Sequence, residues 1–240
     1  MSFRERRERA AIVKTESRAE TIRLVYDGKS QARGKALTQR DFTGFAAQFV
    51  RPRGVFGALA GWLMAHMPKR PHEAWLLQLL EVRPGDAVLE VGFGPGVTIA
   101  KLAKRLVDGR IAGIDPSPVM LRQARRRNAR AIASGCVELC TAPASALSFA
   151  DASFDKAASL NSIAFWDDVE CALAELRRVV KPGGRMVHVM MPQWLKGDEA
   201  AIDRLAVAIA EAVERAGFRD VRRDSRATWP VRSVAVIATR

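Results

Sequence analysis

Between residue 71 and the C-terminus, short apolar runs alternate with longer stretches in which apolar positions return every third or fourth residue. The short runs read as buried strands, at about 87–91, 110–115, 136–140, 154–160 and 184–191. The longer stretches read as helices packed by one face, at about 71–80, 97–107, 117–130, 168–179 and 199–216. In the first of these helices Trp75, Leu76, Leu79 and Leu80 are expected to point inward. Strand and helix in strict alternation call for parallel strands joined by crossovers, a doubly wound α/β sheet. After Gly217 the pattern changes, because Phe218–Arg223 and Arg232–Thr239 are two strands joined by a short loop containing Pro230. A connection that short pairs strands antiparallel. The expected architecture is a seven-stranded sheet whose last strand runs against the others.

Ahead of this unit the pattern is less regular. Residues 1 to about 50 mix charged and small apolar groups, with Ile12, Val13, Ile22, Leu24 and Val25 placed to pack short helices. Val55 to Met67 is the most apolar stretch of the chain, flanked by Arg51, Arg53, Lys69 and Arg70, and it is too short to span a bilayer. It reads either as a helix covering the mouth of a site or as an interfacial helix with basic anchors, and Gly57 and Gly61 favour close packing on another helix. The expected organisation is an N-terminal helical extension or lid over 1–75 and a ligand-binding core over 76–240.

The chemistry centres on the turn between the first strand of the core and the helix after it. There Gly92, Gly94 and Gly96 let the backbone turn sharply and leave room for a ligand at a helix N-terminus, where unpaired N–H groups gather. No Lys-Ser/Thr follows Gly96, which excludes a nucleoside-triphosphate loop, and the Gly-x-Gly-x-Gly spacing differs from the dinucleotide fingerprint. Glu90 puts a carboxylate beside the loop, better suited to a ligand with an ammonium group than to a pyrophosphate. Asp115 closes the next strand, where such a unit places the acid that holds ribose hydroxyls. An ammonium group and a ribose on one ligand point to S-adenosylmethionine.

Four segments in order, Val88-Leu-Glu-Val-Gly-Phe-Gly-Pro-Gly96, Gly113-Ile-Asp-Pro-Ser117, Ser153-Phe-Asp-Lys-Ala157 and Leu176-Arg-Arg-Val-Val-Lys-Pro-Gly-Gly-Arg185, resemble the successive motifs of the class I S-adenosylmethionine-dependent methyltransferases, closest to the type 11 small-molecule group. The resemblance implies a Rossmann-like fold and S-adenosylmethionine as cofactor. It maps Gly92, Gly94 and Gly96 to the methionine half, Glu90 to the ammonium side and Asp115 to the ribose, with Phe93 among the cofactor-binding residues of the same turn. Where the family usually has Gly-Asp-Ala after the third strand, this chain has Ala142-Pro-Ala144, so the aspartate that contacts adenine is missing. Adenine recognition then rests on Ala144, Ser145 and apolar cover from Pro116 or Met120. Asn161 falls where the family brings side chains near the sulfonium, and Phe165, Trp166 and Trp194 follow strands where they can wall an acceptor pocket.

The implied reaction is methyl transfer to O, N or C of a small-molecule acceptor, for which no base is strictly required. Should one act, His66 on the presumed lid and Tyr26, the only tyrosine, are the candidates, whereas His188 reads as a packed strand residue. With no tyrosine after Tyr26, hydride transfer of the short-chain dehydrogenase kind is ruled out. Lys plus Arg is 39 against 26 for Asp plus Glu, a formal charge of +13, which brings in an anionic membrane surface as a partner and a phospholipid or other membrane-bound acceptor as the alternative substrate. The Arg122, Arg125, Arg126, Arg127, Arg130 cluster raises nucleic acid, but no base-methylation motif or RNA-binding module accompanies it. A protein that binds S-adenosylmethionine without acting on it fits the same motifs. Cys136, Cys140 and Cys171 form no Cys-x-x-Cys pair, so no metal site or disulfide framework is expected, and with no signal-peptide pattern the reading is cytoplasmic.

Overall fold

The computed structural model describes residues 53–66 and 71–240. Tyr26 and the rest of the expected lid up to residue 52 lie outside them. The described chain runs α1 (Gly54–His66), α2 (Pro71–Leu80), β1 (Ala87–Val91), α3 (Val97–Ala103), β2 (Arg110–Ile114), α4 (Pro118–Arg127), α5 (Ala129–Ala133), β3 (Val137–Cys140), β4 (Phe154–Leu160), α6 (Val169–Val179), β5 (Val180–Met190), α7 (Glu199–Arg215), β6 (Arg219–Arg226) and β7 (Ser233–Thr239). The seven strands lie in the order β3-β2-β1-β4-β5-β7-β6. The first five are parallel, and β7 is antiparallel to both of its neighbours, β5 and β6. This is the expected doubly wound sheet with its reversed last strand.

Because side chains alternate across a strand, each central strand feeds two cores. Leu89 and Val91 of β1, Ala157 of β4 and Met186 and Met190 of β5 pack with α6 and α7 on one face. Val88, Ala158, Val187 and Val189 pack with α2, α3 and α4 on the other. The helices match this demand: Ala172, Leu173, Leu176 and Val179 make one buried stripe on α6, and fully burying each large apolar side chain contributes about 1.5–3 kcal/mol. Helix α2 crosses the expected boundary at 75/76, burying Trp75, Leu76, Leu77 and Leu80, while Leu79 is half-buried. It is tied to α3 by the fully buried Glu73, which accepts from Thr98 Oγ1 at 3.0 Å and pairs with Lys101 Nζ at 2.5 Å.

Two of the four motifs hold the end of the sheet remote from the glycine turn. Asp155, at the start of β4, accepts from the Ala87 N–H at 2.9 Å and from Lys181 Nζ at 2.7 Å. Burial pushes its carboxyl up, but those two donors outweigh it and hold the group below the usual carboxylate range. Arg178 binds Glu175, Asp151 and the Leu147 and Phe149 carbonyls, closing the loop before β4 onto α6. These segments fix strand ends; they do not line a site.

Helix α3 ends at Ala103 rather than 107, leaving Leu106 buried and Val107 80% exposed. The expected helix over 117–130 breaks at Asn128, whose φ of −105° leaves the helical region. Its side-chain amide turns inward to donate to the Gly96 carbonyl at 3.1 Å and the Ala124 carbonyl at 2.9 Å. Strand β5 starts at Val180, four residues early, because Val180 pairs with Phe154 across an irregularity in the ladder.

Candidate active site

Parallel strands point their carboxyl ends the same way, so the segments after β1, β2, β3, β4 and β5 share one edge of the sheet. The glycine turn leaves β1 there with three left-handed residues, Gly92 at φ 81°, Gly94 at φ 52° and Gly96 at φ 75°. The three glycines serve different purposes. A Cβ on Gly92 would lie 2.4 Å from Ser162 Cβ, and one on Gly96 would lie 2.7 Å from both Ala124 Cβ and Asn128 Nδ2, so these two let neighbouring elements close in. A Cβ on Gly94 would meet nothing within 4 Å. At Gly94 the backbone faces open space, as a loop that admits a ligand must.

Asp115, just beyond β2, is 7% exposed and accepts from the Gly94 N–H and the Ser117 N–H, each at 2.9 Å. Burial pushes its carboxyl above the ordinary value, and the donors from Ser117 and Gly94 pull back only part of that rise. Ser117 also caps α4, its hydroxyl accepting from the Met120 N–H at 3.4 Å. Glu90, the penultimate residue of β1, is 1% exposed just ahead of the glycines. The structure thus joins the open turn directly to the acid from the next strand. Each carboxylate oxygen of Asp115 keeps acceptor capacity beyond its one backbone donor.

Other expected site residues are placed with more specificity than the sequence allowed. Phe93 turns its ring into the core, 3% exposed, so only its backbone is left for a ligand. Pro116 is exposed and Ser145 half-buried, while Ala144 packs into the core on the α6 face. Asn161 sits in the left-handed region at φ 54°, its N–H bonded to the Val189 carbonyl at 2.9 Å and its Oδ1 accepting from the Met191 N–H at 2.7 Å. That side chain clamps the ends of β4 and β5 together. Trp166 and Trp194 are half-buried at the exits of these strands and Phe165 lies beside Trp166 in the same turn. His66 is exposed on the last turn of α1, stacked on Trp62 at 4.5 Å, its Nδ1 donating to the Trp62 carbonyl at 2.8 Å. It is engaged within its own helix. His188 is buried, and neither ring nitrogen has a hydrogen-bond partner among the described residues.

Ser162 is the residue that sequence reasoning missed. Its hydroxyl donates to the Val91 carbonyl at 2.8 Å, lies 2.6 Å from Ser159 Oγ, and fills the space that Gly92 leaves. The segment after β4 thereby props the glycine turn from below. No spacing signals this, because the contact depends on two loops meeting across the sheet. Ser162→Ala is expected to cost about 1–3 kcal/mol, measured by denaturant unfolding, since it leaves a buried carbonyl and a buried hydroxyl short of a partner. An unchanged unfolding midpoint would refute that role.

Among the known proteins that this chain resembles are methyltransferases. Residues 89–188 match the model of a methyltransferase domain family. The chain is also 30% identical to the uncharacterized methyltransferase YdaC of Bacillus subtilis over 183 residues, covering 75% of this chain and 97% of that one. The chain belongs to this methyltransferase family. It is a class I S-adenosylmethionine-dependent methyltransferase. Among solved structures, an S-adenosylmethionine-dependent methyltransferase from Aquifex aeolicus superposes with a TM-score of 0.62 at 19% identity, covering 75% of this chain and 97% of that one. A phosphoethanolamine N-methyltransferase of Haemonchus contortus, in complex with S-adenosyl-L-methionine, gives a TM-score of 0.61 at 15% identity, covering 85% of this chain and 60% of the other. At those identities the likeness concerns the fold. Among the described residues of the methyltransferase no helix is long and apolar enough to cross a membrane, and no cluster of His, Cys, Asp and Glu could hold a metal ion.

Proposed function

We propose that this methyltransferase binds S-adenosylmethionine with its methionine part over Gly92, Gly94 and Gly96, its ammonium group on the Glu90 side and its ribose at Asp115. The observation that carries the reading is the open left-handed turn at Gly94, held by its own N–H to a buried carboxylate. The donor set suits the ligand: a carboxylate with acceptor capacity for hydroxyls, a second buried carboxylate for a cation, and a glycine open to space at Gly94. Adenine would lie against Ser145, Pro116 and the Ala144 backbone, without the usual aspartate. When bound, S-adenosylmethionine supplies a methyl group on an activated sulfonium.

What the protein has to add is orientation and dryness. Phe165, Trp166 and Trp194 supply rigid apolar surface at the exits of β4 and β5, and Asn161 fixes those exits relative to each other. Holding donor and acceptor in line while excluding water accounts for most of the rate of such a displacement. His66 is exposed and bonded within its own helix, and His188 is neutral in the core, so the reading assigns proton removal to neither. The acceptor is an O, N or C atom of a small metabolite.

Calorimetric titration of the purified protein with S-adenosylmethionine and S-adenosylhomocysteine tests the reading. Micromolar binding of both is expected, because they share the ribose and the amino-acid part. Folded protein that binds neither would overturn the cofactor site.

A further inference from the structure

Helix α1 uses one side to hold the molecule and leaves the other uncovered by the described residues. Gly57, Ala60 and Gly61 are buried, and Gly61 lies so near α4 that an added Cβ would come within 2.4 Å of Met120 Cε and Gln123 Oε1. Gln123 Nε2 donates to the Ala58 carbonyl at 2.7 Å, locking the crossing. On the far side Val55, Phe56, Leu59, Trp62 and Leu63 are 84%, 66%, 46%, 54% and 37% exposed. Their spacing of three and four residues makes one continuous apolar stripe, of the kind that marks an interaction surface.

Charge decides what the stripe fits. From Phe42 to His72 the sequence has no Asp or Glu and carries Arg51, Arg53, Lys69 and Arg70. The partner helix is equally one-sided: from Pro116 to Val137 there is again no Asp or Glu, with five arginines at 122, 125, 126, 127 and 130. Arg122 adjoins Gln123 in sequence and Arg126 lies one turn beyond it, so both rise beside the α1 crossing. Arg122, Arg126 and Arg130 are exposed and form no ion pair among the described residues. An exposed apolar stripe with a tryptophan, beside unpaired arginines of α4 and in a stretch of sequence without Asp or Glu, matches the interface of an anionic bilayer. A second copy would face the same uncompensated positive charge and be repelled.

We propose that α1 and the arginine face of α4 form a docking surface for an anionic lipid bilayer. The apolar stripe enters the headgroup boundary, Trp62 sits at its level, and Arg122 and Arg126 meet lipid phosphates. Since Ser117, the N-cap of α4, is bonded to Asp115, docking brings the cofactor edge of the sheet to the bilayer.

Co-sedimentation of the full chain with phosphatidylcholine vesicles, with and without phosphatidylglycerol, tests this. Binding to the anionic vesicles is expected to be at least 10-fold tighter and to fall away in high salt. The double variant Leu59→Glu, Trp62→Glu should lose it at least 10-fold, and Arg122→Glu, Arg126→Glu several-fold. Calorimetry with S-adenosylmethionine should be unchanged in both, which keeps a failure of docking separate from a failure of the cofactor site. Equal binding to both vesicles, none to either, or wild-type sedimentation of the Leu59/Trp62 variant would overturn the proposal. So would self-association or RNA binding that these substitutions abolish while vesicles fail to bind.

Discussion

Asp115→Ala is expected to weaken S-adenosylmethionine binding by about 100-fold or more, and S-adenosylhomocysteine binding by a similar factor. Hydrogen bonds to a charged partner contribute about 1.5–3 kcal/mol each, and two ribose hydroxyls at one carboxylate make the loss of two orders of magnitude a modest expectation. The variant loses more than a ligand contact. Both carboxylate oxygens already accept backbone N–H groups, from Gly94 and Ser117, so alanine also frees the turn that carries the open glycine. Asp115→Asn separates the two effects: its carbonyl oxygen can keep one of these backbone donors while the charge is lost. Its affinity should fall between wild type and alanine. Thermal unfolding beside the titration shows whether the alanine variant is folded. A folded alanine variant that binds both ligands as tightly as wild type would remove Asp115 from the site.

The sequence announced this corner of the molecule because its constraints are local. Three glycines within five residues, an acid closing the next strand and an apolar run before each are patterns that neighbouring residues make by themselves. The doubly wound sheet and its reversed last strand followed from the alternation of elements and the short final connection, and the sheet is built that way. What stayed hidden depends on residues distant in sequence. Asn128 ends its helix early because its amide reaches the Gly96 carbonyl, which is 32 residues away along the chain. Ser162 supports Gly92 across a gap of the same kind, and Phe93 turns inward because Gly113 leaves it room, an added Cβ there lying 2.9 Å from its ring. The same applies to Asn161: the sequence marks it as a polar residue at a strand exit, and only the fold shows its Oδ1 committed to the Met191 N–H. His66 was a candidate for its place on the presumed lid; only the fold shows its Nδ1 bonded to the Trp62 carbonyl at the end of its own helix.

His188 is a site where stability, rather than binding, should respond strongly. It lies in β5 between Ser159 of β4 and Val236 of β7, 2% exposed, with neither ring nitrogen bonded among the described residues. Burial away from water disfavours the charged ring and pushes its pKa down to about 3. In the unfolded chain the same ring titrates near ~6.5. Between these values the unfolded state binds a proton that the folded state refuses, so stability rises with pH across this window and falls as the solution is acidified. Each unit of pH in the window changes stability by about 1.4 kcal/mol, and from pH 6 to pH 4 the native state should lose about 2–3 kcal/mol on this account alone. Below the folded pKa both states are protonated and the contribution levels off. His188→Leu tests both parts of this argument. It removes two unsatisfied nitrogens from the core, which should stabilise the protein by about 1–3 kcal/mol at pH 7, and it should flatten the pH 4–6 dependence. Urea unfolding of both proteins at pH 7, 6, 5 and 4 measures the two effects together. A variant that is less stable at pH 7 and keeps the wild-type acid slope would show that the imidazole has partners that the folded core hides, and that a different group carries the acid sensitivity.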